Sequence, residues 1–183
     1  MKKVVTVYKS KYGSTKKYAE WISERLQCDL FEASKINKAT LQKYDIIIFG
    51  GGLYAGGING ISIITKNDES LNNKKRIVFT VGLANPENKE QYLPILNKSF
   101  TLEMQKNIQF FHFRGGIDYQ KLNLIHKSMM AMLKTTVARK PENELSDEDK
   151  MLLETYGGTV DFTEKTAIAP LITYVNKLLE ENK

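Results

Sequence analysis

Short β-branched and apolar runs alternate along the chain with stripes of apolar residues three to four positions apart, first the period of a strand and then that of a helix. Val4-Val5-Thr6-Val7-Tyr8 predicts an opening strand, and Lys16 to Leu26 a helix whose inner face carries Tyr18, Ala19, Ile22 and Leu26. A weaker strand from Asp29 to Ala33 leads through Asn37–Lys43 to a strong one, Asp45–Gly50. Its Ile46-Ile47-Ile48-Phe49 core has no polar alternation, the mark of a strand covered on both faces. There follow a helix with Ile58, Ile61 and Ile64 inward, the strand Arg76–Val81, a helix from about Glu87 to Phe100 with Tyr92, Ile95 and Leu96 on one side, and the strand Ile108–Phe113. Such alternation predicts an α/β architecture, a parallel sheet with helices on both faces and right-handed crossovers.

Past the fifth strand the spacing changes. More than forty residues separate Gly115-Gly116 from the last helix, where a simple crossover needs few. Leu122, Ile125, Met129, Met130 and Leu133 recur at helical spacing, which predicts a helix starting near Tyr119. Pro141 breaks it, Ser146-Asp147-Glu148-Asp149 caps a second helix containing Met151, Leu152 and Leu153, and Gly157-Gly158 ends that one. Residues 118–160 thus read as a helical insertion within a single domain, 1–183. Its Met-rich stripe is either core or a lid beside a ligand, for a bulky substrate or a membrane quinone. Lys121, Lys127, Lys134, Arg139 and Lys140 make either a solvated basic face or one suited to an anionic bilayer or an acidic substrate. The last helix carries Ile168, Leu171, Ile172, Val175, Leu178 and Leu179, with Pro170 in its first turn or at a kink.

A length of 183 residues allows one domain with a sizeable core. The lone cysteine, Cys28, excludes disulfides within the chain and cysteine-based metal sites, and reads as a small apolar residue opening the second strand. Met-Lys-Lys runs straight into a strand without a signal-peptide pattern, so the expected location is the cytoplasm, with peripheral contact at the inner face of the membrane left open. Residues 46–65 carry no charge, but six glycines rule out a membrane-spanning helix there.

The candidate chemistry lies in the turns after the strands. Ser10-Lys11-Tyr12-Gly13-Ser14-Thr15 joins a strand directly to a helix, gathering backbone N–H groups, three hydroxyls and the positive end of a helix dipole, which makes an anion site. It lacks the Lys-Ser/Thr of a triphosphate loop and the glycine spacing of a dinucleotide loop, and Lys11 is its one cation. A terminal monophosphate fits; an ordinary βα turn with a hydroxyl cap is the alternative. Gly50-Gly51-Gly52-Leu53-Tyr54-Ala55-Gly56-Gly57 reads as a long flexible loop with Tyr54 placed against a flat ring, and Gly82-Leu83-Ala84-Asn85-Pro86 as a third small loop on the same edge. Each taken alone reads equally well as a surface turn that uses glycine for backbone freedom. No acidic pair follows the first strand, no nucleophile elbow is present, and His112 and His126 read as structural. The net charge of +6 admits nucleic acid as a partner, but no recognition motif supports it.

The Ser10–Thr15 turn resembles the phosphate loop of the flavodoxin superfamily, and Val81–Glu87, the glycine after strand five, the Met-containing helix and Thr159–Thr163 resemble its menaquinone-dependent protoporphyrinogen dehydrogenase group. The resemblance implies a three-layer flavodoxin-like sheet in the order 2-1-3-4-5, with FMN at the switch point. It implies that Ser10, Lys11, Tyr12, Gly13, Ser14 and Thr15 hold the phosphate, while Leu53, Tyr54, Ala55, Gly56, Leu83, Ala84 and Asn85 flank the ring. A small-molecule or quinone redox partner goes with it. An electron carrier serving protein partners and a flavin-free binding module are the alternatives, and the oligomeric state is left open.

Overall fold

Val5 and Val7 face one side of the first strand and Thr6 the other, and all three are fully buried. A strand covered on both sides needs apolar neighbours above and below it, and the chain supplies two separate cores. The computed structural model describes residues 2–54 and 56–181. Its strands β1 (Val4–Lys9), β2 (Asp29–Glu32), β3 (Ile46–Tyr54), β4 (Lys75–Gly82) and β5 (Ile108–Arg114) pair in parallel in the order β2-β1-β3-β4-β5. This is the flavodoxin-like α/β arrangement. On one face Ile46, Ile48, Ile77 and Phe79 pack against Tyr18, Ala19 and Ile22 of α1 (Ser14–Leu26) and Leu171, Ile172 and Val175 of α5 (Ala169–Glu180). On the other face Val5, Val7, Ile47, Phe49 and Val78 meet Leu96 of α2 (Leu93–Ser99), together with Leu41 and Ile64 from two single-turn helices, Lys38–Leu41 and Ser62–Thr65.

The glycine-rich stretch differs from the flexible loop expected. β3 continues through Gly50, Gly51, Gly52, Leu53 and Tyr54, and its register with β4 holds as far as Gly52–Val81. These glycines serve close approach. A Cβ on Gly50 would lie 2.0 Å from Cζ of the buried Phe79 ring, and one on Gly51 2.5 Å from Cγ2 of Ile58. Ile58 belongs to a two-residue return strand, Gly57–Ile58, antiparallel to Leu53 and Tyr54, and the helix expected around it shrinks to the turn Ser62–Thr65. Ile58 and Ile64 are nonetheless buried. The helix expected from Glu87 starts at Leu93, after a 3-10 turn at Lys89–Gln91, and still buries Tyr92 and Leu96.

After β5 the chain makes a two-stranded sheet of its own. β6 (Gly116–Asp118) pairs antiparallel with β7 (Thr159–Asp161), an element absent from the periodicity. Between them lie α3 (Leu124–Val137) and α4 (Asp147–Thr155). α3 begins five residues later than expected because Asn123 caps it, its side chain accepting from the His126 N–H at 2.8 Å. α4 opens with a capping box between Ser146 and Asp149, as the sequence predicts. The stripe divides: Leu122 is buried ahead of the helix, whereas Ile125 stands 70% exposed. Among the described residues no helix is long and apolar enough to cross a membrane.

Candidate functional site

Parallel strands bring their carboxyl ends to one edge, and the turns after β1, β3, β4 and β5 meet there. Between them lies a cleft of about 160 Å³, walled by Tyr12, Ser14 and Thr15, by Leu53 and Tyr54, by Gly82 and Leu83, and by Gly115 to Ile117, with His126, Met129 and Met130 reaching in from α3.

The first turn shows how an anion would be held. Gly13 takes φ +103°, in the left-handed region, and stands at the N-cap of α1 with no side chain capping the helix. First-turn N–H groups have no partner within their own helix, and here no side chain supplies one. The Gly13 N–H donates to Ser10 Oγ at 3.1 Å, and the Gly116 N–H donates to Ser14 Oγ at 3.1 Å. Each hydroxyl thus has an acceptor role filled and its own O–H left to donate. Thr15 is buried behind them.

The other end of the cleft is aromatic. The rings of Tyr54 and His126 are stacked, 5.3 Å between centroids and 18° apart in plane, and Tyr12 stands edge-on to both. The Tyr12 hydroxyl and His126 Nδ1 share a hydrogen bond of 2.8 Å. Burial pushes the Tyr54 phenol up to about 12, so it keeps its proton at neutral pH. Burial first, and the Lys11 charge second, lower the pKa of His126, so its ring is neutral there.

Arg114, at the end of β5, joins this edge to the segment beyond it. Its Nε donates to the Leu83 carbonyl at 3.1 Å, a terminal nitrogen lies 2.9 Å from the Met151 sulfur of α4, and the guanidinium sits 4.0 Å over the Phe162 ring. A second cavity of about 220 Å³ opens beside it, walled by Leu133, Leu152 and Phe162 among others. It shares Leu83, Ile117 and Met130 with the first cleft, so the two adjoin.

Of the residues the sequence picks out, Tyr12, Ser14, Thr15, Leu53, Tyr54 and Leu83 line the cleft together. Ser10 and Gly13 shape the turn behind them, and Lys11 stands with its Nζ 5.8 Å from the centre of the Tyr12 ring. Gly56 has φ +70° in the turn after β3, and Ala55 lies outside the described residues. Ala84 lines the second cavity. Asn85 closes its own turn, its Oδ1 accepting from the Glu87 N–H at 3.0 Å. His112 bonds Thr80 Oγ1 at 2.7 Å and stacks on Tyr92, a structural role as expected. His126 is expected to be structural too, yet it is brought into the cleft. The signal was present: His126, Met129 and Met130 sit three to four residues apart on one side of α3, and the histidine is the one titratable residue among them. Gly115-Gly116 was a fourth small turn on the same edge.

Residues 5–144 match the sequence profile described as the flavodoxin domain. A curated relative, an uncharacterized protein of Methanocaldococcus jannaschii, is 30% identical over 81 residues, which are 44% of this chain and 54% of that protein. The chain therefore spans about half the length of that relative. Among solved structures, the flavodoxin WrbA-like protein from Agrobacterium tumefaciens is 24% identical with a TM-score of 0.43, over 60% of this chain and 76% of that one. Flavodoxin 1 from Bacillus cereus is 18% identical, TM-score 0.43, over 61% and 84%. Rubredoxin oxygen:oxidoreductase from Desulfovibrio gigas is 14% identical, TM-score 0.48, over 97% of this chain and 37% of that one.

Proposed function

The chain belongs to the flavodoxin domain family, and from that premise we propose that it binds FMN and acts as an oxidoreductase of the protoporphyrinogen dehydrogenase type, passing electrons from a reduced substrate through the flavin to a quinone or other acceptor. The observation that carries this reading is the uncapped N-terminus of α1, with Gly13 at positive φ and two serine hydroxyls whose O–H groups remain to donate. That donor set is neutral and convergent, and it fits a phosphate dianion. Ser10, Gly13, Ser14 and Thr15 would hold the phosphate, with Lys11 and Tyr12 beside it. Leu53, Tyr54 and Leu83 offer apolar and aromatic surface for a flat ring, with Gly56, Ala84 and Asn85 in the same two turns. When bound, the flavin supplies the electron and hydride chemistry; the protein orients it and limits what touches it.

Room for a small-molecule substrate favours an enzyme over a pure carrier. Ligand sites usually begin at roughly 300 Å³, and neither the cleft of about 160 Å³ nor the adjoining 220 Å³ reaches that alone. With the first given to the flavin, the second is the adjoining space for a substrate, and the wall between them is made of side chains, Leu83, Ile117 and Met130. The α3 surface suits a peripheral membrane contact: Leu124, Ile125 and Met132 are more than two-thirds exposed, and residues 119–141 carry five lysines and arginines and no acidic residue.

The test is the visible spectrum of the purified protein with added FMN and with added riboflavin. Tight FMN and much weaker riboflavin are expected, and absence of flavin binding under both conditions overturns the reading. Gly13→Val forces a β-branched residue to φ +103°, at about 1–3 kcal/mol of strain. FMN affinity should then fall roughly tenfold or more. For the membrane contact, the protein should sediment with phosphatidylglycerol vesicles and less with phosphatidylcholine; equal sedimentation with both removes the electrostatic part.

A further inference from the structure

Three rings, Tyr12, Tyr54 and His126, are the titratable groups lining the cleft among the described residues. A substrate that loses two electrons and two protons gives a flavin a hydride equivalent, which is both electrons and one proton. The second proton needs another acceptor in the site. Resting on the flavin reading above, we infer that His126 takes that proton and returns it when the acceptor is reduced, with the Tyr12 hydroxyl relaying it to solvent.

The geometry sets His126 apart from the other two. Its main-chain N–H is fixed by the Asn123 cap at 2.8 Å, and its ring is oriented by the 2.8 Å bond between Nδ1 and Tyr12. With Nδ1 engaged, Nε2 is the nitrogen left for a bound substrate. Tyr12 hydroxyl as donor makes Nδ1 an acceptor and Nε2 an N–H; the opposite tautomer gives Nε2 its lone pair. Interconversion moves two protons in step: as Nε2 takes one from the substrate, Nδ1–H passes its own to the Tyr12 oxygen and the Tyr12 hydroxyl gives its proton to solvent, and delivery from Nε2 to an acceptor runs the same transfers backwards. The groups facing the ring are Tyr12 and Lys11 from the turn after β1 and Tyr54 from the end of β3. Tyr54 holds its own proton too firmly to act as base near neutrality. Lys11 disfavours a lasting positive charge on His126, which speeds return of the proton once taken. In balance, the substrate's two electrons and one proton go to the flavin and its second proton to Nε2; an acceptor taking two electrons and two protons reverses both.

The experiment measures the midpoint potential of protein-bound FMN across about pH 5 to 8 in the wild type, His126→Gln and Tyr12→Phe. If His126 exchanges a proton in step with flavin reduction, the wild-type potential changes slope within this range and His126→Gln loses the break while still binding FMN. Tyr12→Phe should keep a break at a different pH, because the ring loses its Nδ1 partner. In turnover with a soluble hydroquinone, tetramethylhydroquinone, kcat of His126→Gln should fall about 100-fold, and free imidazole should restore part of the rate in His126→Ala. Identical slopes in wild type and His126→Gln overturn the inference while leaving the FMN reading intact. Absence of FMN binding by the wild type overturns the FMN reading and this inference with it.

Discussion

α1 and α3 border the same cleft and are of nearly equal length, 13 and 14 residues, but they are held in different ways. α1 buries Tyr18, Ala19 and Ile22 completely against the sheet. α3 buries Val137 and leaves Leu124 85%, Ile125 70% and Met132 71% exposed. A helix fixed by a close-packed core presents its N-terminus in one geometry, which suits a small, invariant group such as a phosphate. A helix held through its ends and a few side chains opens at lower free energy, which suits entry of a bulkier molecule. The contrast thus divides the cleft into a preorganised end and an adjustable one.

The largest effect should come from the sheet. Gly50→Ala puts a methyl group against the Phe79 ring inside a close-packed core, and overpacking of that kind costs about 3 kcal/mol. A correspondingly lower urea midpoint is expected, with unchanged steepness. A loss under about 1 kcal/mol would mean that the ring yields easily and the sheet end is softer than argued.

Arg114→Met comes next, because this side chain bridges the two regions. It removes the bond to the Leu83 carbonyl and the contact with Phe162, at about 2 kcal/mol for a charged hydrogen bond lost from a half-buried site. Amide exchange should rise in α4 and β7 and stay unchanged in β1 and β3. Equal increases in all four would show that the segment and the sheet open as one unit.

The sheet was legible in the sequence because parallel strands covered on both faces appear as unbroken apolar runs, and because the Ser10–Thr15 turn concentrates its donors in six consecutive residues. The extension of β3 through Gly50–Gly52 was not legible: glycine favours turns, and the reason for it here, the Phe79 ring, comes from a different strand. The β6–β7 pair escaped because three-residue strands leave no period to count and their pairing is long-range. For α3 the stripe revealed an apolar face but not what covers it, since periodicity carries no information about the neighbouring element. Arg114 and His126 were single residues whose roles depend on partners from three other segments for the first and two for the second.

Acid should separate the regions further. The Asp149 carboxyl is held below the usual carboxylate range, first by its hydrogen bond to Lys140 and then by the Ser146 N–H and hydroxyl of the cap, partly offset by burial. A depressed folded pKa contributes stability that is fully present above the unfolded value of about 4 and is lost as pH falls through the folded one. Glu24 and Glu32 are also depressed, by Lys165 and Lys9, but they sit on elements anchored by the sheet cores. α4 has no fully buried residue. Its amide resonances should therefore shift below about pH 4 while those of β3 and β4 stay in place; simultaneous loss of both would remove the distinction.

The smallest effect is expected where the apolar surface is most exposed. Ile125→Ser with Met132→Ser removes two side chains that are about seven-tenths exposed, so little apolar area returns to water on unfolding. Serine also has a somewhat lower helix propensity than the residues it replaces, which sets the sign as slightly unfavourable. The two together should move stability by no more than about 0.5 kcal/mol and leave FMN affinity unchanged, because the His126, Met129 and Met130 side of α3 is untouched. A loss of about 2 kcal/mol that grows with protein concentration would mean that this face is covered by a second copy in solution. α3 would then be held as firmly as α1, by a partner in place of the sheet, and the adjustable end of the cleft would be set by assembly.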